Sequence, residues 1–304
     1  PDVITLDVEM PKMDGVTFLK RYMSRFPIPT IMVSSLTENG AKISLEALEA
    51  GAVDIVTKPT IGVADGLPEM MDELIAKVKA AAKIDVRGQA RSRRSRPVGK
   101  VTTTSRALAS STDQVVAIGS STGGTEALAR ILPALPAGVP GIVIVQHMPP
   151  RFTASLAQRL DRISAIEVRE ASCGDRIRPG LALVAPGGEQ HLLVERSGGQ
   201  YRVKLIEGEK VSGHRPSVDR LFESVARDVG AHCVAALLTG MGKDGAEGMG
   251  AIRNAGGRTL AQDEASSVVW GMPHEAWKRG AAQELVSLEE IPRAIVSALE
   301  RKRP

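Results

Sequence analysis

A chain of 304 residues, 43% hydrophobic and 24% charged with mean hydropathy near zero, is long enough for two buried cores and excludes a disordered chain. No apolar run approaches the roughly 20 residues of a spanning helix, and two cysteines, Cys173 and Cys233, are too few for a disulfide framework, so the expected compartment is the cytoplasm, without membrane insertion. The net charge of +4 is concentrated: residues 84–100 hold six basic side chains against Asp85, a segment charge of +5 that leaves −1 elsewhere, which predicts a basic tether and no nucleic-acid partner.

The chain opens on Pro1, not a methionine, directly in a strand-like run, and reads as a fragment of a longer protein. A strand over 3–6, a turn at Met13-Asp14-Gly15 and a helix through Phe18, Leu19, Tyr22 and Met23 come first. A strand over 30–33, a helix around 43–48, a strand over 53–56 and an amphipathic helix over 67–82 complete the first domain. Strands alternating with helices predict a parallel sheet covered on both faces. From 83 to about 113 the periodicity dissolves into Arg, Ser, Thr and Gly, a composition unable to bury enough apolar surface to fold. The expected organisation is therefore a domain over 1–82, a flexible linker over 83–113 and a second domain over 114–302.

The second domain opens with an apolar run over 115–118 that breaks into Gly119-Ser120-Ser121-Thr122-Gly123-Gly124. Thr125 or Gly124 is expected to cap a helix whose Leu128, Ile131, Leu132 and Leu135 share one face. Further buried strands are predicted over 141–145, ending at Gln146-His147, and over 234–238, ending at Thr239-Gly240-Met241-Gly242. Three runs, 181–184, 191–194 and 201–205, separated by glycine turns, are expected to form an antiparallel excursion. In an open parallel sheet the site lies beyond the carboxyl ends of the strands, so the three junctions should converge.

Ser121 stands where a strand becomes a helix among residues almost without side chains, a setting that exposes a nucleophile. The amides of Thr122 and Gly123 would face a developing oxyanion. A nucleotide-phosphate turn is the rival reading, although the spacing fits neither the dinucleotide fingerprint nor the P-loop. Ser120, Ser266 and Ser267 are rival nucleophiles. A serine needs a base within hydrogen-bond reach. His147 ends a strand at the expected edge, whereas His191, His214, His232 and His274 sit at strand starts or in loops. A carboxylate must orient that base, and Asp244 follows the third strand, with helix capping as its alternative role.

Ile118 to Gly124, Val145-Gln146-His147-Met148-Pro149 and Leu238 to Gly245 resemble the three active-site motifs of the chemotaxis protein-glutamate methylesterases, the CheB family. Gly213-His214-Arg215-Pro216-Ser217-Val218-Asp219 and Ala261 to Ser266 resemble further stretches of it. The resemblance implies a doubly wound, mainly parallel α/β catalytic domain with an antiparallel hairpin. It also implies Ser121 as nucleophile, His147 as general base, Asp244 as its orienting partner and Met241 at the oxyanion pocket. The expected chemistry is hydrolysis of glutamyl methyl esters on methyl-accepting chemotaxis receptors, with release of methanol, and deamidation of receptor glutamines. No cofactor is implied for the esterase.

In the first domain, Asp7 ends the run Val3-Ile4-Thr5-Leu6, Ser34 follows Ile31-Met32-Val33, and Lys58 precedes Pro59. These features resemble a flavodoxin-like response-regulator receiver, here partial. The resemblance implies Asp7 as acceptor of a phosphoryl group from the chemotaxis histidine kinase, Lys58 as its ion-pair partner and Ser34 as the switch residue. Ile55 stands where many receivers carry an aromatic switch residue. It also implies Mg²⁺ for phosphorylation, held in the intact receiver by Asp7, the Glu9 carbonyl and an acidic pair that would precede Pro1. A phosphate on Asp7 is expected to release the esterase from inhibition by the receiver.

Overall fold

A computed structural model describes residues 1–59, 63–86, 99, 101 and 113–301. The arginines of the expected linker, Arg87 to Arg96, lie outside the described residues, as do 102–112. The chain divides into two compact units, one built on Pro1–Arg96, the other on Pro97–Met148 and Leu156–Pro304.

The first unit is a three-stranded parallel sheet in the order β1 (Ile4–Asp7), β2 (Thr30–Ser34), β3 (Asp54–Thr57). Three helices connect or follow the strands: α1 (Gly15–Met23), α2 (Glu38–Glu49) and α3 (Val63–Ala81). Side chains start the first two, Asp14 accepting from the Thr17 amide and Thr37 from that of Gly40, which satisfies otherwise orphaned helix amides. Gly15 is required at the first turn, because a Cβ there would lie 2.1 Å from the Asp7 carbonyl oxygen. The parallel register pairs Asp7 with Val33 and Ser34 with Thr57, so the residues of the expected phosphorylation site share one sheet edge.

The second unit is a seven-stranded sheet in which every pair is parallel. Its strands are β4 (Val115–Ser120), β5 (Gly141–Gln146), β6 (Glu167–Glu170), β7 (Leu181–Val184), β10 (Cys233–Leu237), β11 (Arg258–Gln262) and β12 (Glu284–Val286). They lie in the order β12-β11-β10-β4-β5-β7-β6. The chain starts in the middle at β4, winds outward through β5, then returns to the other flank from β10, so the winding reverses beside β4. The inner strands β4, β5, β7 and β10 are buried at every position, the signature of a sheet covered on both faces. The helices are α4 (Gly124–Ile131), α5 (Phe152–Ile163), α6 (Val218–Asp228), α7 (Ala246–Asn254), α8 (Met272–Lys278) and α9 (Ile291–Glu300). A separate antiparallel hairpin, β8 (Gln190–Ser197) and β9 (Gln200–Glu207), is tied to α6 where the Val194 amide donates to Ser224 Oγ at 2.9 Å.

Three expectations need correction. Leu181–Val184 is not part of the antiparallel excursion; it lies between β5 and β6, parallel to both. Continuous burial distinguishes it from the hairpin strands, whose burial is interrupted. Helix α4 is capped neither by Thr125 nor by Gly124 but begins after Gly123, whose φ of +81° suits glycine and whose added Cβ would meet Val268 at 2.5 Å. His274 lies in α8, not in a loop.

Candidate active site

Direct hydrogen bonds draw three strand ends together. The Ser121 amide donates to the Thr239 carbonyl at 3.0 Å, beyond β10, and the His147 amide to the Ser120 carbonyl at 3.0 Å. Gly240 permits the closeness of the first pair, since a Cβ there would sit 2.7 Å from Ser121 Cβ and 2.3 Å from Met272 Sδ. The Gly240 turn is clamped from the far side: its amide donates to Val269, and its carbonyl accepts from Gly271 and Met272. The convergence expected from the sequence is therefore a hydrogen-bonded one.

Two buried glutamines complete the scaffold, and sequence reasoning did not single out their role. Gln146 accepts the Ser120 hydroxyl at 2.7 Å on Oε1 and donates from Nε2 to the Ser121 and His147 carbonyls at 2.9 and 3.1 Å. Gln262 Oε1 accepts the Thr239 amide at 2.8 Å, while its Nε2 donates to the Ser266 carbonyl. Thr239 Oγ1 donates to the Thr122 carbonyl at 3.0 Å. Each amide side chain fixes a loop that has no strand partner of its own.

These bonds separate the serines. Ser120 is wholly buried and committed to Gln146. Ser266 Oγ donates to Asp263 at 2.5 Å, and Ser267 Oγ to the Asp263 carbonyl at 2.7 Å. Ser121, 9% exposed, retains a path to solvent at the strand-to-helix turn beside Thr122 and Gly123, at the start of α4. Met241, half-buried, follows Gly240 in the clamped turn.

Asp244 is 1% exposed and holds four donors. Oδ1 accepts from Ser217 Oγ at 2.8 Å and the Asp219 amide at 3.0 Å; Oδ2 accepts from the Val218 amide at 2.7 Å and lies 2.8 Å from His147 Nε2. Asp244 therefore does not cap the helix that follows it, which starts after Gly245, but sits on the N-terminus of α6, where amides and dipole favour a negative charge. Burial alone would push its carboxyl up. The His147 hydrogen bond and charge, with the Asp219 and Val218 amides, outweigh burial and hold it well below the usual carboxylate range. An ionised carboxylate only accepts, so His147 Nε2 carries the proton it donates. His147 Nδ1 is buried and has no hydrogen-bond partner, Ser121 included. His147 thus has one ring nitrogen fixed and one open.

His191, buried at the start of β8, supports this arrangement from behind. Its Nδ1 accepts the Ser217 amide at 3.1 Å, so its Nε2 carries the hydrogen and donates to the Glu209 carbonyl at 2.9 Å. Asp219, 4% exposed, accepts the Gly248 amide at 2.8 Å; burial pushes its carboxyl up to about 7, Gly248 opposing and the neighbouring Asp244 adding to the rise.

In the first unit, Lys58 Nζ lies 2.5 Å from Asp7 Oδ2, and the Glu9 amide donates to Asp7 Oδ1 at 3.1 Å. Ser34 is brought to the next strand end, but its hydroxyl donates to the Ser35 and Gly40 carbonyls at 3.3 and 3.4 Å. Among the described residues no group of three His, Cys, Asp or Glu side chains could hold a metal. Asp7 and the Glu9 carbonyl are the hard oxygen donors that Mg²⁺ prefers, but they amount to two of about six positions.

Known proteins agree with this architecture. Residues 116–295 match the CheB methylesterase family and residues 1–65 the response regulator receiver domain. The protein-glutamate methylesterase/protein-glutamine glutaminase of Syntrophotalea carbinolica is 54% identical over 303 residues, covering 100% of this chain and 86% of its own. A Pseudomonas aeruginosa protein of the same name, numbered 2, is 52% identical over 99% of this chain and 84% of its own. The crystal structure of the Thermotoga maritima CheB methylesterase catalytic domain superposes with a TM-score of 0.59 at 39% identity, covering 60% of this chain and 97% of that one. The chain is a hydrolase joined to a response-regulator receiver. It belongs to the CheB methylesterase family.

Proposed function

We propose that this chain hydrolyses the methyl esters of glutamate side chains on methyl-accepting chemotaxis receptors, releasing methanol, and deamidates receptor glutamines to glutamate. Ser121 is the nucleophile, His147 the general base through Nδ1 and Asp244 the carboxylate that orients it. The observation carrying this reading is the His147 ring, held at Nε2 by an ionised Asp244, with a buried Nδ1 that has no hydrogen-bond partner, on a residue whose amide bonds the Ser120 carbonyl next to Ser121.

Ser121 Oγ bonds to the ester carbonyl carbon as its proton passes to His147 Nδ1. The carbonyl becomes an oxyanion at the Thr122 and Gly123 amides and the Met241 turn. Collapse breaks the bond to the methoxy oxygen, which leaves as methanol with the proton from His147. Water then adds to the acyl-enzyme, again losing a proton to His147, and Ser121 departs with that proton. With a glutamine the leaving group is ammonia and the remaining steps are the same. The imidazolium formed at each stage is stabilised by Asp244.

The receiver, over 1–82, is proposed to regulate a catalytic domain over 114–302 through a basic linker over 83–113. The close Lys58–Asp7 pair supports Asp7 as acceptor of a phosphoryl group from the chemotaxis histidine kinase, with Ser34 responding to it. Mg²⁺, when bound, would neutralise charge on the transferring group, and Asp7 with the Glu9 carbonyl would be among its ligands. Among the described residues no helix is long and apolar enough to cross a membrane. A cytoplasmic location facing the receptors' cytoplasmic portions is part of the proposal.

The test is incubation of membranes carrying methylated chemoreceptors with the purified chain, measuring methanol and, by mass spectrometry, glutamine-to-glutamate conversion. Release of both products is expected. A folded chain that produces neither refutes the assignment.

A further inference from the structure

The ring of His214 lies flat on that of His147, the centroids 3.7 Å apart and the planes 11° from parallel. A loop histidine contributes so close a stack only if its backbone is held. The Val211 amide donates to the His214 carbonyl at 3.0 Å and the His214 amide to the Val211 carbonyl at 2.9 Å. Ser212 and Gly213 between them both have positive φ, +52° and +83°, the form of a tight type I′ turn. For serine this is an uncommon conformation that its surroundings must sustain.

The flanks are pinned as well. Arg215 donates from Nε to the Gly188 carbonyl at 3.0 Å and from an Nη to that of Gly208 at 2.7 Å. His191 reaches both ends of the segment, through the Glu209 carbonyl and the Ser217 amide. The chain thus spends a constrained turn, an arginine and a buried histidine on a segment whose imidazole covers one face of the base.

We propose that His214 is a positioning residue of the hydrolytic centre. Asp244 fixes His147 along the direction of Nε2, but one hydrogen bond leaves the ring free to tilt about that line. The His214 stack sets the plane, so Nδ1 keeps one direction without a hydrogen bond of its own. The His214 ring also offers its π face to the imidazolium formed when His147 takes the serine proton. This replaces water around a base whose side chain is only 6% exposed.

The inference rests on the assignment of His147 as base, and the test separates the two. Methanol release from methylated receptor membranes is measured for the natural chain, His214→Ala, His214→Phe, His214→Lys and Ser121→Ala, each with its melting temperature. His214→Ala is expected to lower kcat about tenfold with KM within about twofold. His214→Phe, which keeps a flat aromatic partner, should restore kcat to within about threefold of the natural chain. His214→Lys, which sets a fixed cation beside the developing imidazolium, should be slower than His214→Ala. Unchanged kcat in His214→Ala overturns the proposal, as does a His214→Phe variant that folds and is as slow as His214→Ala or His214→Lys. If those variants fail while Ser121→Ala is inactive, only this inference falls. If Ser121→Ala retains full release, the assignment of the centre falls first.

Discussion

Replacing Asp244 by Asn keeps the size and shape of the side chain and removes its charge. The four donors it holds make the consequence calculable. One carboxylate oxygen becomes an NH₂ group. At the Oδ1 position it opposes the Asp219 amide, while the Ser217 hydroxyl can rotate to accept. At the Oδ2 position it opposes the Val218 amide and obliges His147 to accept at Nε2, which moves the imidazole hydrogen to Nδ1 and blocks the base. Either way one buried backbone N–H loses its acceptor, at about 1–3 kcal/mol. At about 2–4 °C per kcal/mol for a domain of this size, the melting temperature should fall by roughly 2–12 °C. The catalytic loss is larger, because the imidazolium loses its counter-charge: kcat should drop on the order of 10³- to 10⁴-fold, with KM changed by only a few-fold. Methanol-release kinetics and calorimetry on the same preparation separate the two effects. A kcat within tenfold of the natural chain, with the fold intact, would refute the role given to Asp244.

Asp219 supplies a prediction about pH. Its carboxyl, pushed up to about 7 in the folded chain from an ordinary 3.8, binds a proton that the unfolded chain has released between those values. Its contribution to stability is therefore fully present below about pH 4 and is lost as pH rises toward 7. Asp244, shifted the other way, contributes stability that is present above about pH 4 and lost only in stronger acid, so the two windows do not overlap. The melting temperature of Asp219→Asn minus that of the natural chain should rise from pH 5 to pH 8, and a flat difference contradicts the assignment. Gly240→Ala should slow the enzyme by about tenfold or more and destabilise it by about 1–3 kcal/mol, since the new Cβ meets Met272 Sδ and Ser121 Cβ. Parallel kcat and melting measurements that detect neither effect would show that the loop yields freely.

Much of the catalytic half was legible because its strands are short apolar runs that stop abruptly at small or polar residues. Val115 to Ile118, Gly141 to Val145 and Val234 to Leu238 could be read as buried parallel strands, and a shared sheet edge followed from topology. The edge strands β6 and β12 were harder, since each mixes charged and apolar residues over three or four positions. Leu181–Val184 was drawn into the hairpin by its glycine turns, although its uninterrupted apolar pattern belongs to a parallel sheet. The roles of Gln146 and Gln262 were not legible because glutamine is ordinarily a surface residue, and only the folded loops reveal which carbonyls and amides need them. The Asp244 donors join segments 25 to 97 residues apart and the His214 stack links segments within that range, so no local periodicity announces them. In the receiver, the Asp7–Lys58 pair was implied by the family resemblance, whereas the inward hydrogen bonds of Ser34 were not.

The central claim is that one serine of an adjacent pair carries the chemistry. Ser120 and Ser121 differ by a single position, yet one is buried against Gln146 and the other stands at the turn. Methanol release from methylated receptor membranes, measured for Ser120→Ala and Ser121→Ala at equal folded concentration, tests the claim most directly. Loss of release in Ser121→Ala, with measurable turnover retained in Ser120→Ala, is the predicted result. Turnover that survives Ser121→Ala would contradict it.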